Sequence, residues 1–158
     1  MNNTKNTIVR VIIQRVNSAS VTIKNKVKSE MTFGLLVFVG IEESDTENDI
    51  EWLCNKIVNL RIFNDAFGVM NLSVLDTAGS IMVISQFTLY AKTRKGNRPS
   101  YIRSAGPDLA IPIYTKFIDR LSMLMGKETY SGEFGAMMKI SLENDGPVTI
   151  IIDTKKKE

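Results

Sequence analysis

Three short stretches carry the residue types that chemistry requires. The first is "SQFTL", Ser85 to Leu89. It places two hydroxyls and a side-chain amide at the end of an apolar run, where they could line a pocket and orient a polar ligand. Read as a continuing strand, Ser85, Phe87 and Leu89 share one face and Gln86 and Thr88 the other. A strand emerging into solvent would look the same. The second stretch is "AKTRKGNRPSYIR", Ala91 to Arg103. Lys92, Arg94, Lys95, Arg98 and Arg103 stand there with no acid among them, and Tyr101 offers a ring for stacking. Cations in a flexible loop, where Gly96 and Pro99 allow tight backbone, suit phosphate oxygens; a solvated basic loop has the same composition. The third is "NDGPVT", Asn144 to Thr149. Proline has no N–H, so within a strand it belongs at an edge, a bulge or the first position. X-Pro bonds are also the ones that go cis cheaply. A cis Gly146-Pro147 pair would aim main-chain carbonyls that no side-chain substitution can remove. A plain turn before the last strand explains the same residues.

The chain has no histidine. That removes the usual general base and the commonest metal ligand together. Ser-His-Asp and Cys-His machinery is impossible. Any proton transfer must use a carboxylate, a lysine, a hydroxyl, water or the substrate itself. The single cysteine, Cys54, excludes an internal disulfide and a thiolate zinc cluster. No metal and no cofactor is expected. A net charge of +3 is mild, so a nucleic-acid partner must be argued from where the cations cluster.

These stretches need elements to hold them. At 158 residues, 44% hydrophobic and 23% charged, the chain suits one globular domain over 1–158 with its own core. "IVRVIIQRV" (8–16) and "SASVTI" (18–23) read as two strands, with "KNKVKSE" as turn and edge. "FGLLVFVGI" (33–41) reads as a strand buried on both faces. Apolar residues from Ile50 to Leu60 recur at helical spacing, which predicts a helix from Asp45 to Arg61; Ser44 and Glu47 have capping-box spacing. Cys54 lies on its apolar stripe, as a small buried hydrophobe rather than a nucleophile. A second helix is expected over Asp108 to Met125, capped by Gly126, with Pro112 awkward late in its first turn. "AMMKISLEN" and "PVTIIID" read as two last strands, and 154–158 as a flexible tail. Strands outnumber helices without regular alternation, which predicts α+β with a largely antiparallel, barrel-like sheet and two main helices. No apolar run reaches the roughly 18 residues of a membrane span, and the polar start lacks the apolar core of a secretory signal. A reducing, cytoplasmic setting without membrane contact is expected.

Taken together, "SQFTLYAKTRKGNRPSY" and "NDGPVT" resemble the two signature motifs of the D-aminoacyl-tRNA deacylase family, the DTD type. "VIIQRVNSASVTI", "KIVNLRIFND", "GVMNLSVLD" and "GEFGAMMKISLENDGPVT" are similar to family segments in family order, so the resemblance covers nearly the whole chain. It implies a DTD-like fold and a homodimeric enzyme that cleaves the ester between a D-amino acid, or glycine, and the tRNA 3′ end. It implies that Ser85, Gln86, Phe87, Thr88 and Thr149 surround the reacting ester. Asn144, Gly146, Pro147, Val148 and Leu89 would bind the aminoacyl group, with Arg15 helping to hold the Gly-Pro element. In the family that dipeptide is cis and enters the partner subunit's site, where it leaves no room for an L side chain. The phosphate contacts would fall to Lys92, Arg94, Lys95 and Arg98. Thr88 and Thr149 invite suspicion as nucleophiles, yet no histidine activates either; the family picture has the terminal ribose 2′-hydroxyl assist instead.

Two features depart from the family pattern: about seven polar residues before Ile8, and Pro112. Neither touches a motif. A non-catalytic nucleic-acid-binding dimer uses the same basic loop, so release of amino acid from charged tRNA distinguishes the two. An esterase for small D-amino-acid derivatives would not depend on a tRNA 2′-hydroxyl. A purely structural dimer would do neither.

Overall fold

The computed structural model describes residues 9–43 and 47–158, with the backbone alone for Glu47 and Asn48. The segment before Val9 and the capping-box residue Ser44, with Asp45, lie outside the described residues. In chain order the elements are β1 (Val9–Ile23), β2 (Lys26–Met31), β3 (Gly34–Ile41), α1 (Glu47–Asn59), β4 (Phe63–Asn64), β5 (Met70–Leu72), β6 (Ser80–Ser85), a 3-10 turn (Phe87–Tyr90), α2 (Pro107–Met125), β7 (Tyr130–Ser131) and β8 (Met138–Asp153).

β1 organises the sheet. Its first half pairs antiparallel with β3, from Val9↔Ile41 to Val16↔Gly34. Its second half pairs antiparallel with β2, from Ala19↔Met31 to Ile23↔Lys26. Its other edge follows β8 from Arg10↔Asp153 to Ile23↔Met138. The two strands expected over 8–16 and 18–23 are therefore one. The polar Asn17-Ser18 step is absorbed as a register shift against β8, not as a break. Lys24 and Asn25 both take positive φ, which suits the two-residue hairpin into β2. The last two expected strands also merge, into the 16-residue β8.

The antiparallel ladders dominate as predicted, but β6 runs parallel to β3 and β7 parallel to β6. Parallel neighbours need crossovers, and the segments holding α1 and α2 supply them. The sheet order is β2-β1-β3-β6-β7. Ser29 on β2 donates to the Ser131 carbonyl on β7 (2.8 Å), so the sheet curls into a nearly closed barrel.

Both faces of β3 are covered, which is why its sequence is apolar without alternation. Leu35, Val37, Val39 and Ile41 join Leu53 and Ile57 of α1 and Phe117 and Leu121 of α2 in the main core. Leu36 joins Val16, Val21, Met82 and Ile84 on the other side. α1 ends at Asn59, two residues before the expected end. α2 begins one residue early, with Pro107 in its first turn, and closes at Gly126 in the left-handed region. Pro112 falls in the second turn instead of the first. It has no N–H for the Asp108 carbonyl, and it does so on the exposed side. The expected tail is held at its first residue: Thr154 is buried, its N–H donates to the Val9 carbonyl (3.1 Å), and its Oγ1 accepts from the Val9 N–H (2.9 Å). No helix among the described residues is long and apolar enough to cross a membrane.

Cys54 is fully buried in the main core, and its Sγ lies 3.7 Å from the Phe117 carbonyl. Burial, reinforced by the Glu51 charge, pushes its thiol up to about 12. At pH 8 almost no thiolate exists, and the thiolate is the reactive form. Iodoacetamide at pH 8 should leave the native chain unmodified and add one equivalent after urea denaturation, read by intact mass. Modification of the native chain would contradict this packing.

Candidate functional site

The "SQFTL" stretch changes character halfway. β6 ends at Ser85, and Phe87 to Tyr90 form a 3-10 turn, so the expected alternation of faces stops. The Gln86 N–H makes the final bond to β3, at the Val39 carbonyl (2.7 Å). The chain then folds over β3 at Gly40. A Cβ there would lie 3.0 Å from Leu89 Cβ and 3.1 Å from the Gln86 carbonyl oxygen, so the turn packs where only glycine leaves room. Leu89 N–H donates to the Gln86 carbonyl and Ala91 N–H to the Thr88 carbonyl. The Gln86 amide donates to the Thr88 hydroxyl.

Ser85, Gln86 and Phe87 form one side of a small notch; Ala110, Phe134 and Gly135 lie on another. Its volume is about 60 Å³, far below the roughly 300–1,000 Å³ of a typical small-molecule site. Phe134 packs on Tyr114, with ring centroids 5.7 Å apart. Burial pushes the Tyr114 phenol up to about 12, and its hydroxyl donates to the Val83 carbonyl (3.3 Å). The lining of the notch carries no titratable side chain. Nothing in the residue types of Phe134 and Gly135 marks them for a site. Their one signal is the "GEFG" pattern, an aromatic residue between glycines in the loop before β8.

The Gly-Pro stretch forms a second feature. The Gly146–Pro147 bond is cis. Asn144 pairs with Val16 and Thr149 with Gln14, so Asp145 to Val148 stand opposite Arg15 alone. Arg15 is buried although strand arginines are usually on the surface. Its guanidinium donates to the Asp145 carbonyl (3.2 Å) and the Ile62 carbonyl (2.7 Å), and pairs with the Asp145 carboxylate (2.9 Å). Asn144 Nδ2 ties the bulge from inside, donating to the carbonyls of Arg15 (3.0 Å) and Val148 (3.1 Å). Val148 turns its side chain into the main core. Gln14 donates to the Thr149 hydroxyl (3.2 Å) at the surface.

One chain does not bring these two features together. Arg15 pairs with Leu35 and Leu35 with Ile81, four residues before Ser85. Measured along the sheet, that is roughly 13 Å along the strands and three strand spacings across. None of Asn144 to Thr149 lines the notch.

The basic loop lies on the notch side. Lys92, Arg94, Lys95 and Arg98 are exposed, and Lys92 and Ser100 close the loop with paired main-chain bonds (2.8 and 3.0 Å). Arg103 is instead paired with Glu42 (2.7 Å). Tyr101 meets Phe87 edge-on at 5.1 Å, and Phe87 is 56% exposed.

The buried Arg15 network generates a stability prediction. Arg15→Met would strand the Asp145 and Ile62 carbonyls and should cost about 3 kcal/mol. Urea unfolding would measure it; a loss below about 1 kcal/mol would mean that the bulge holds itself.

A protein-family model described as D-Tyr-tRNA(Tyr) deacylase matches residues 12–153. A D-aminoacyl-tRNA deacylase of Bacteroides fragilis is 61% identical over 150 residues, covering 95% of this chain and all of the relative. One from Flavobacterium psychrophilum is 58% identical over the same length. Among solved structures, a c-Myc DNA unwinding element binding protein superposes with TM-score 0.85 at 36% identity, over 90% of this chain and 97% of that one. A probable eukaryotic D-amino acid tRNA deacylase superposes with TM-score 0.80 at 17% identity, over 92% and 99%, and shares the fold. With a family model spanning nearly all of the described residues and relatives near 60% identical end to end, the chain belongs to the D-Tyr-tRNA(Tyr) deacylase family.

Proposed function

We propose that this protein hydrolyses the ester of D-aminoacyl-tRNA, and of glycyl-tRNA, as a homodimer. Water oxygen bonds to the ester carbonyl carbon. The bond to the ribose 3′ oxygen breaks, and that oxygen takes the proton. The products are a free amino acid and tRNA. Family membership carries the substrate class, since the B. fragilis relative is a D-aminoacyl-tRNA deacylase.

The observation that carries the mechanism is the notch. It is too small to enclose an aminoacyl-adenosine and has no group in its lining able to act as a base near neutral pH. Both deficits point outside the single chain. The missing wall is the Asp145–Val148 bulge of a second copy, with the Gly146-Pro147 carbonyls facing the amino-acid Cα. An L side chain would meet those carbonyls; a D side chain or the hydrogen of glycine would not. The missing proton relay is the 2′-hydroxyl of the terminal ribose. Ser85, Gln86, Phe87 and Thr88 line the reacting ester, Leu89 and Thr149 flank it, and Arg15 and Asn144 hold the bulge in register. Lys92, Arg94, Lys95 and Arg98 take backbone phosphates beside the notch.

The exposed cations of that loop also serve a second reading, in which the dimer binds nucleic acid without catalysis. The test is to follow D-tyrosyl-tRNA, L-tyrosyl-tRNA and glycyl-tRNA with purified protein. The D and glycyl esters should be lost and the L ester spared. Survival of all three with tRNA still bound would favour the binding reading. A D-tyrosyl-tRNA ending in 2′-deoxyadenosine should react about 10²-fold more slowly or worse. Thr149→Ala should keep most of its turnover. If that variant loses all turnover while binding tRNA and dimerising normally, Thr149 takes the chemical role instead.

In a second experiment, Gly146→Ala places a Cβ 3.1 Å from Asn144 Oδ1, so the side chain that ties the bulge must give way. It should lower the rate on the D ester by about tenfold or more. An unchanged rate would remove this segment from the site.

A further inference from the structure

The residue that ends the 3-10 turn, Tyr90, is fully buried. Two guanidinium groups lie over its ring, Arg10 at 4.8 Å and Arg103 at 5.4 Å from the centroid. Both fall within cation–π range. Each arginine has its own acid. Arg10 bonds Asp153 through Nε (3.0 Å) and Nη2 (2.9 Å), and Arg103 bonds Glu42 (2.7 Å). Arg10 also donates from Nη1 to the Leu89 carbonyl (2.9 Å). Ser104 Oγ donates to the Phe87 carbonyl (2.8 Å). The turn is thus held at its first residue, its third residue and its last ring, from two separate segments of the chain.

We propose that Arg10, Tyr90 and Arg103 form a clamp that sets the geometry of the Phe87–Tyr90 turn, and that they are positioning residues for the notch. The link to catalysis rests on the ester-cleavage reading above; the link to turn geometry does not. A plain core needs nothing of this kind. An aliphatic side chain would fill the Tyr90 position without drawing two cations and two carboxylates partly out of water, which costs free energy unless they are paired. What the arginines add is direction. A guanidinium is a rigid fork, and Arg10 uses it to meet Asp153 and the Leu89 carbonyl at once. Asp153 closes β8, the strand that carries Gly146-Pro147. The clamp therefore ties the two motifs of one chain to a common frame, although they do not touch. None of its members lines the notch.

The test compares Arg10→Met, Arg10→Lys and Asp153→Asn with wild type in the full-length protein. Hydrogen exchange is read at the Leu89 and Ala91 amides, whose bonds close the turn. kcat and KM for D-tyrosyl-tRNA are measured per folded protein. In Arg10→Met we expect exchange at those two amides to rise about tenfold or more while α2 amides keep wild-type protection. We expect kcat to fall about tenfold or more with KM within about threefold. Arg10→Lys keeps a cation but not the fork, and should be intermediate in both. Loss of stability alone would raise exchange across the molecule and leave kcat per folded protein unchanged; that outcome overturns the proposal, as does wild-type exchange in the turn. If Arg10→Met does not fold, Asp153→Asn decides: a smaller change of the same sign supports the clamp and no change ends it. If wild type leaves D-tyrosyl-tRNA intact, the deacylase reading falls, and the exchange data still decide whether the clamp sets the turn.

Discussion

A buried positive charge shapes the centre of this molecule. Arg15 points inward from the most fully paired strand of the sheet, where an unmatched guanidinium would be very costly. Its needs are met by carbonyls of Ile62 and Asp145 and by the Asp145 carboxylate. Two of those acceptors lie on a segment that cannot follow the regular ladder, because four residues occupy the space opposite one. The irregularity of β8 and the burial of Arg15 are one arrangement seen from two sides. The β1–β8 register on both sides of the bulge fixes where Gly146 and Pro147 stand, and Asn144 closes the bulge from within.

The other motif is held by a different economy. β6 can leave the sheet at Ser85 because the neighbouring strand offers Gly40 as a seat for the turn. Beyond it the turn has no regular pairing. Its order comes from a serine, two arginines and their acids, drawn from β1, the end of β3, the basic loop and the end of β8. One motif is therefore built into the sheet and the other is staked to it. An exposed aromatic, Phe87, and a row of exposed cations stand beside the staked motif.

Much of this could be read from the sequence where one element settles the matter by itself. "FGLLVFVGI" is apolar on both faces and so names a central strand. The apolar stripe of α1 names a helix and buries Cys54. The sequence misleads where a partner strand decides. Asn17-Ser18 and Asp145-Gly146-Pro147 read locally as breaks, and only the continuous opposing strand makes them bulges. "SQFTL" keeps a strand-like alternation of residue types past the point where Gly40 lets the chain turn away. Arg15 reads as a surface residue because its acceptors lie 47 and 130 positions away. Phe134 and Gly135 carry no periodic or charge signal, and they reach the notch only through the path of the chain between β7 and β8.

The reciprocal bonds between Val9 and Thr154 bring the first and last described parts of the sheet side by side. The sheet is thus nearly circular in connectivity as well as in shape. A short linker could join the strand ends there, and the chain could be opened elsewhere, for example at the exposed tip by Phe67 and Gly68 between β4 and β5. Every strand would keep its neighbours. In this fold the order of residues along the chain and the order of strands around the barrel are separable properties, and both motifs depend on the second.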